Sequence, residues 1–292
     1  MWNKSDKIST CDYTMAEAIV FGAPFDGTTS FKPGARFAPG AIRADFDGLE
    51  TYSPYLNADL SRVNVFDKGD LEFPFGNARE VLNIIEKATT EILDDNKLPI
   101  MLGGEHLITL GAIRAIAKKH SGLNVIHFDA HTDLRDEYLG ERLSHATVMR
   151  RVWEIIGDNK LHQFGIRSGE KDEFEFAALH TNFYPKLDDS FDITPIKSLK
   201  GIIKGEPVYV SIDLDILDPS VFCGTGTQEP GGILFNQLLN AIHALRGLNI
   251  VGVDITELAP NYDQSGASTA VACKVLRESI LTVLPGGDFN NE

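Results

Sequence analysis

Short apolar runs bounded by turn residues recur along the chain, and they predict eight strands, near residues 17–22, 62–67, 98–103, 123–129, 160–166, 181–184, 207–213 and 248–255. Between several of them the apolar spacing changes to a helical period. In 77–95, Val81, Ile84, Ile85, Ala88 and Ile92 fall on one helix face, and weaker versions of this pattern occupy 105–119, 144–156, 233–246 and 267–283. Strand followed by helix, repeated, predicts a three-layer α/β/α fold with a mostly parallel eight-stranded sheet covered on both faces. No internal repeat or linker interrupts the alternation, so residues 1–292 are expected to form one domain. The Gly- and Pro-rich stretch 214–232 is long enough to be a functional loop.

Composition narrows the class. An apolar fraction of 43% and a charged fraction of 24% are ordinary for a globular protein, and no run approaches the roughly 18 apolar residues of a spanning helix. The opening MWNKSDKISTCDY has no apolar leader, and Cys11, Cys223 and Cys273 follow no metal or disulfide spacing, which points to the cytoplasm. A formal charge of −15 argues against a general nucleic-acid binder and favours a small cationic substrate.

In a parallel sheet, ligands bind beyond the carboxyl ends of the strands. Four such ends are rich in polar residues: Gly103-Gly104-Glu105-His106, Asp129-Ala130-His131-Thr132-Asp133, Asp213-Leu214-Asp215 and Asp254-Ile255-Thr256-Glu257. In extended chain, positions two apart face one side, so Asp129, His131 and Asp133 converge, as do Asp213 and Asp215. Carboxylates crowded together in a desolvated site repel one another, and bound cations relieve the repulsion. With His106 there are two imidazoles and four carboxylates, too many for one tetrahedral zinc but suited to two divalent ions; the oxygen-rich set favours Mn2+. A lone Asp-x-Asp is most often an ordinary turn, but several clusters at separate strand ends are not explained that way. His127 reads as a core residue or a support to the ligands, and His120, His162, His180 and His243 as structural or surface residues.

The segments GGEH at 103–106, FDAHTD at 128–133 and SIDLDILDPSVFCGTGTQEPGG at 211–232 resemble the signature segments of the ureohydrolases, the arginase and agmatinase family. The stretches 21–43 and 164–169 resemble its agmatinase-like members. The resemblance implies an arginase-like sheet, two Mn2+ per subunit and assembly into trimers or hexamers. It assigns His106, Asp129, Asp133 and Asp213 to one ion and His131, Asp129, Asp213 and Asp215 to the other, with Asp129 and Asp213 as bridges. It makes His145 a proton shuttle and Glu257 the carboxylate that binds the guanidinium. Glu105 departs from the family's usual Asp, and Cys223 and Gln228 from its usual prolines, but no ligand is lost.

The implied chemistry is attack of a metal-bridging hydroxide on the guanidinium carbon, with Asp133 carrying a proton to the leaving amine and His145 exchanging it with solvent. Arginases grip the substrate's amino-acid end through an Asn and a Ser-Gly-Asn stretch; this chain has Arg135 and Glu141-Arg142-Leu143-Ser144-His145 instead. That favours agmatine, cleaved to putrescine and urea, with Glu170, Asp136, Glu137 and Glu141 as candidates for the distal ammonium. Arg135 keeps guanidinobutyrate open, and arginine and formiminoglutamate are further options. Readings from other classes are a deacetylase-like zinc hydrolase and a non-catalytic metal-binding protein.

Overall fold

The computed structural model describes residues 2–3, 8–188, 190–284 and 286. Part of the opening segment read as leaderless therefore lies outside the described residues. Eight parallel strands form the central sheet: β1 Ala18–Ala23, β2 Val65–Leu71, β3 Leu98–Gly103, β4 Asn124–Phe128, β5 Leu161–Phe164, β6 Asn182–Tyr184, β7 Pro207–Asp213 and β8 Asn249–Thr256. Their order across the sheet is β2-β1-β3-β8-β7-β4-β5-β6, and the short strand Trp2–Asn3 adds antiparallel to the β2 edge. The eight expected strands are all present, and the expected fold class holds.

The helices are α1 Ala38–Phe46, α2 Ala78–Asp94, α3 Thr109–Lys119, α4 Val148–Ile156, α5 Lys171–His180, α6 Thr194–Ile203, α7 Phe235–Ala244 and α8 Ala267–Val283. They divide between two apolar cores, one on each face of the sheet. α1, α6, α7 and α8 pack over Val20, Leu102, Val210 and Ile212. α2 to α5 pack over Ile19, Phe21, Met101 and Tyr209. Successive strand residues feed opposite cores because their side chains alternate across the sheet, which is why these strands read as continuous apolar runs.

α2 begins where Asn77 caps it, its side-chain oxygen accepting the Glu80 N–H at 3.1 Å, and it buries Val81, Leu82, Ile85, Ala88 and Ile92. α1, α5 and α6 are additions to the sequence-derived set. α1 opens Ala38-Pro39-Gly40, which conceals its period, and α5 buries only Glu173 and Ala177. α6 has the legible spacing Ile196, Leu199, Ile203 behind a Thr-Pro start. β2 lies three residues later than expected, because Leu60–Arg62 forms a 3-10 turn and the strand buries Asp67 as one of its inward positions. Arg43 of α1 neutralises that carboxylate through Nε at 2.7 Å and Nη2 at 2.9 Å.

The order of the strands locates the site. β3, β8, β7 and β4 are the four neighbours at the middle of the sheet, and Leu102, Ile255, Ile212 and Phe128 lie in register across them. Gly103, Asp129, Asp213 and Thr256 are the first residues beyond that line, so four segments far apart in sequence meet at one edge.

Candidate metal centre

The six imidazole and carboxylate candidates come together at that edge, though not by simple alternation. β4 ends at Phe128, and the chain beyond it is not a strand; Asp133 has φ +52°, a left-handed turn that swings its carboxylate back toward Asp129. Asp215 sits in the 3-10 turn Leu214–Ile216, where its N–H donates to Asp213 Oδ1 at 2.8 Å. The expected convergence is real; tight turns achieve it rather than extended chain.

His106 Nδ1 faces Asp129 Oδ2 at 3.0 Å, Asp133 Oδ2 at 3.2 Å and Asp213 Oδ2 at 3.2 Å. His131 Nδ1 lies 3.0 Å from Asp215 Oδ2 and 3.5 Å from Asp129 Oδ1. Asp129 thus faces both rings. Asp129, His131 and Asp215 can offer their atoms to one ion, and so can His106, His127 and Asp129. His106, Asp129, Asp213 and Asp215 are almost fully buried, while His131 is partly exposed.

Sequence reasoning missed a set of residues behind the ligands. Ser211 Oγ donates to Asp254 Oδ1 at 2.7 Å, so it is free to accept His106 Nε2–H at 2.9 Å, which leaves Nδ1 bare toward the three carboxylates. Asp254 also accepts the hydroxyls of Thr109 and Tyr209, each at 2.7 Å. The signal was a Ser and an Asp buried inside apolar strands, since such groups persist only with partners. His127 reads as expected, behind Asp129. Gln163 Nε2 donates to Thr132 O at 2.9 Å and to His127 Nδ1 at 3.1 Å, so His127 Nε2 carries the proton and donates to Asp129 Oδ2 at 2.7 Å.

The electrostatics of the cluster call for positive charge. Burial raises Asp133 to about 7, with the Asp129 charge adding to it, and burial with Asp215 and Asp129 raises Asp213 well above the carboxylate range. Although burial opposes it, the crowding of the Asp129, Asp133 and Asp213 carboxylates around its ring favours positive charge on His106, raising it well above its ordinary value. His106 Nδ1 and Asp215 Oδ2 are buried with no hydrogen-bond partner. Two orphaned ligand-type atoms beside four close carboxylates are what a divalent-cation site requires.

Glu257, just past β8 with φ +64°, is buried, and its Oε1 accepts the His106 N–H at 2.8 Å. Burial, reinforced by Glu105, raises its carboxyl well above the usual range. Glu105 does not join the cluster; it accepts Thr28 N–H and Thr29 Oγ1 at 2.9 Å each, pinning the loop after β1. That loop reaches His145. Thr28 Oγ1 accepts the His145 N–H at 3.1 Å, and Ser30 places Oγ 2.9 Å and N–H 3.2 Å from His145 Nε2. Burial, with His131 and His106 adding, pushes His145 down to about 4. His131, Asp133, Arg135, Tyr138, His145 and Glu170 line a pocket of about 320 Å3 above the cluster.

The other histidines lie elsewhere: His243 pairs with Glu278 at 2.8 Å, His180 with Asp158 at 2.8 Å, and His162 lies 3.4 Å from Asn124. All three cysteines are free thiols. Of the distal-ammonium candidates, Glu170 is in the pocket wall, and Asp136 is engaged with Arg142 and Arg151 at 3.3 and 2.7 Å. No helix among the described residues is long and apolar enough to cross a membrane.

The sequence model of the arginase family matches residues 16–282. An agmatinase from Bacillus anthracis is 46% identical over 91% of this chain and 91% of its own length. A guanidinobutyrase from Pseudomonas aeruginosa is 33% identical, covering 95% of this chain and 89% of its own. The crystal structure of the agmatine ureohydrolase of Thermoplasma volcanium superposes with a TM-score of 0.85 at 33% identity, over 96% of this chain and 95% of that one. With the sheet order, the meeting of the four motifs and these likenesses in agreement, the chain belongs to the arginase family.

Proposed function

We propose that this arginase-family ureohydrolase is a manganese-dependent agmatinase, hydrolysing agmatine to putrescine and urea. The observation that carries the reading is the convergence of His106, Asp129, His131, Asp133, Asp213 and Asp215 beneath a pocket, in a chain 46% identical to an agmatinase. His106, Asp129, Asp133 and Asp213 would hold one Mn2+, and Asp129, His131, Asp213 and Asp215 the other, with Asp129 and Asp213 shared. When bound, such an ion pair supplies Lewis acidity that brings the ionisation of water within reach of neutral pH and offsets developing negative charge.

The chain's own residues do the rest. A guanidinium carbon resists attack because its charge is spread over three nitrogens, so it must be held and aimed. Glu257, dry and anchored to the His106 N–H, meets the planar cation with charge-assisted hydrogen bonds, and the arriving positive charge stabilises its ionised form. The departing amine needs a proton, because an amide anion is a very poor leaving group. Asp133, which lines the pocket above the cluster, would take up that proton at its carboxylate and pass it to the amine. His145, fixed at the rim by Thr28 and Ser30, exchanges it with solvent.

The test is urea release by Mn2+-reconstituted enzyme offered agmatine, arginine and guanidinobutyrate in parallel, with a chelator control. Manganese-dependent turnover of agmatine above the others is expected. Preference for another guanidine would move the substrate, and no urea from any of the three would overturn the proposal.

A further inference from the structure

The pocket wall carries a charge arrangement that cation binding does not need. Arg135 lies along it, and a bare guanidinium there would repel a substrate with a cationic tail and attract one with a carboxylate tail. It is not bare. Its Nη2 lies 3.1 Å from Glu170 Oε1 and its Nε 3.4 Å from Glu173 Oε2, with the guanidinium carbon 4.6 Å from the centre of the Tyr138 ring.

The two acids differ. Glu173 is buried and fixed: Oε1 accepts Thr132 Oγ1 at 2.6 Å and Leu134 N–H at 3.0 Å, and Oε2 accepts Glu170 N–H at 2.7 Å. Its charge is committed to cancelling Arg135. Glu170, at the start of α5, has a side chain 68% exposed beside the pocket, so it is the surplus charge of this wall. Two carboxylates against one guanidinium leave about one net negative charge facing the substrate's far end.

We infer that the Arg135–Glu170 pair selects the substrate by the charge of its tail. Paired, it offers a carboxylate to an alkylammonium tail; without Glu170, Arg135 and Glu173 leave the wall neutral and the preference for a cationic tail is lost. The inference rests on the agmatinase reading above and adds the residues that set its preference: Glu170 draws the second cation of the substrate, and Arg135 limits how strongly guanidino acids are turned away. Electrostatic complementarity at a partly wet rim changes selectivity more than the chemical step, so the effect belongs in a ratio of specificities.

The experiment compares kcat/KM for agmatine and for guanidinobutyrate in wild type, Glu170→Gln, Arg135→Gln and the double variant. The ratio cancels losses from imperfect folding, which lower both substrates alike. Glu170→Gln is expected to reduce the agmatine-to-guanidinobutyrate ratio by up to about tenfold, since an attraction is lost for one tail and a repulsion for the other. Arg135→Gln is expected to raise it, and in that background Glu170→Gln is expected to lower it by a factor similar to that in wild type, because the charges of the wall add. An unchanged ratio in Glu170→Gln, or a ratio that Arg135→Gln leaves unchanged or lowers, overturns the inference while leaving the agmatinase reading standing. A wild type that releases urea from neither guanidine overturns both.

Discussion

Gly104, between β3 and His106, gives the sharpest structural prediction. A Cβ at this position would lie 1.9 Å from the carbonyl oxygen of Phe25 and 2.8 Å from that of Ala23. Neither oxygen belongs to a flexible side chain, and both are tied in place: Gly104 N–H donates to Ala23 O at 3.2 Å and Glu105 N–H to Phe25 O at 2.7 Å. Reaching even 3.0 Å requires the two segments to part by about 1.1 Å. Overpacking of this kind costs about 1–3 kcal/mol, and weakening two backbone hydrogen bonds adds about 1 kcal/mol. With a total of about 3 kcal/mol and a chain larger than those that lose about 2–4 °C per kcal/mol, Gly104→Ala is expected to lower the Tm by about 6 °C. The assay is thermal unfolding in chelator and again in excess Mn2+. Because the same displacement moves His106, the rise in Tm on adding Mn2+ is expected to shrink as well. A variant that melts within about 1 °C of wild type and gains as much from Mn2+ would refute the argument that this backbone approach holds the site.

Three further outcomes follow from the geometry. Glu257→Gln should keep its metal content and lose about a hundredfold in kcat/KM, the value of a charged hydrogen bond at a dry site, and undiminished kcat/KM would count against its role. His145→Ala should also keep its metals and lose about tenfold or more in kcat; turnover unchanged across pH would remove the proposed proton exchange. Asp218 is held down to about 2 by its hydrogen bond with Ser220 and by the Gly231 and Gly232 N–H groups at 2.9 and 3.0 Å. A depressed carboxyl stabilises the fold above its ordinary value near 3.8, and that contribution disappears as pH falls through about 2. Asp218→Asn in chelator should therefore cost about 1–2 kcal/mol at pH 7 and almost nothing at pH 2, and a pH-independent difference in denaturant unfolding would contradict it.

The strands were legible because a parallel sheet buried on both faces writes each one as an apolar run with turns at its ends. α2 was legible because Val81, Ile85, Ala88 and Ile92 keep one face against the sheet. α5 was not, since Lys171–His180 lies over the edge of the sheet and buries only Glu173 and Ala177. At the site, residue types chosen for chemistry stood at strand ends, where the sequence exposes them. What supports them was hidden for two physical reasons. Ser211 and Asp254 face one another only because β7 and β8 pair in the register Ser211 to Asp254, which no local spacing reveals. Ser30 reaches His145 across a separation of 115 residues through a loop whose conformation depends on Glu105. Arg135 was visible as a cation, but its two acids come to it from the start of α5, at least 35 residues further along the chain.

The account stands on two shared cations at this cluster, and the most direct measurement is metal content per chain after Mn2+ loading and removal of excess, in wild type and in Asp129→Ala. The account predicts two Mn2+ per wild-type chain and the loss of both in the variant, because Asp129 faces both His106 and His131. One ion in wild type, or two retained without Asp129, would contradict it.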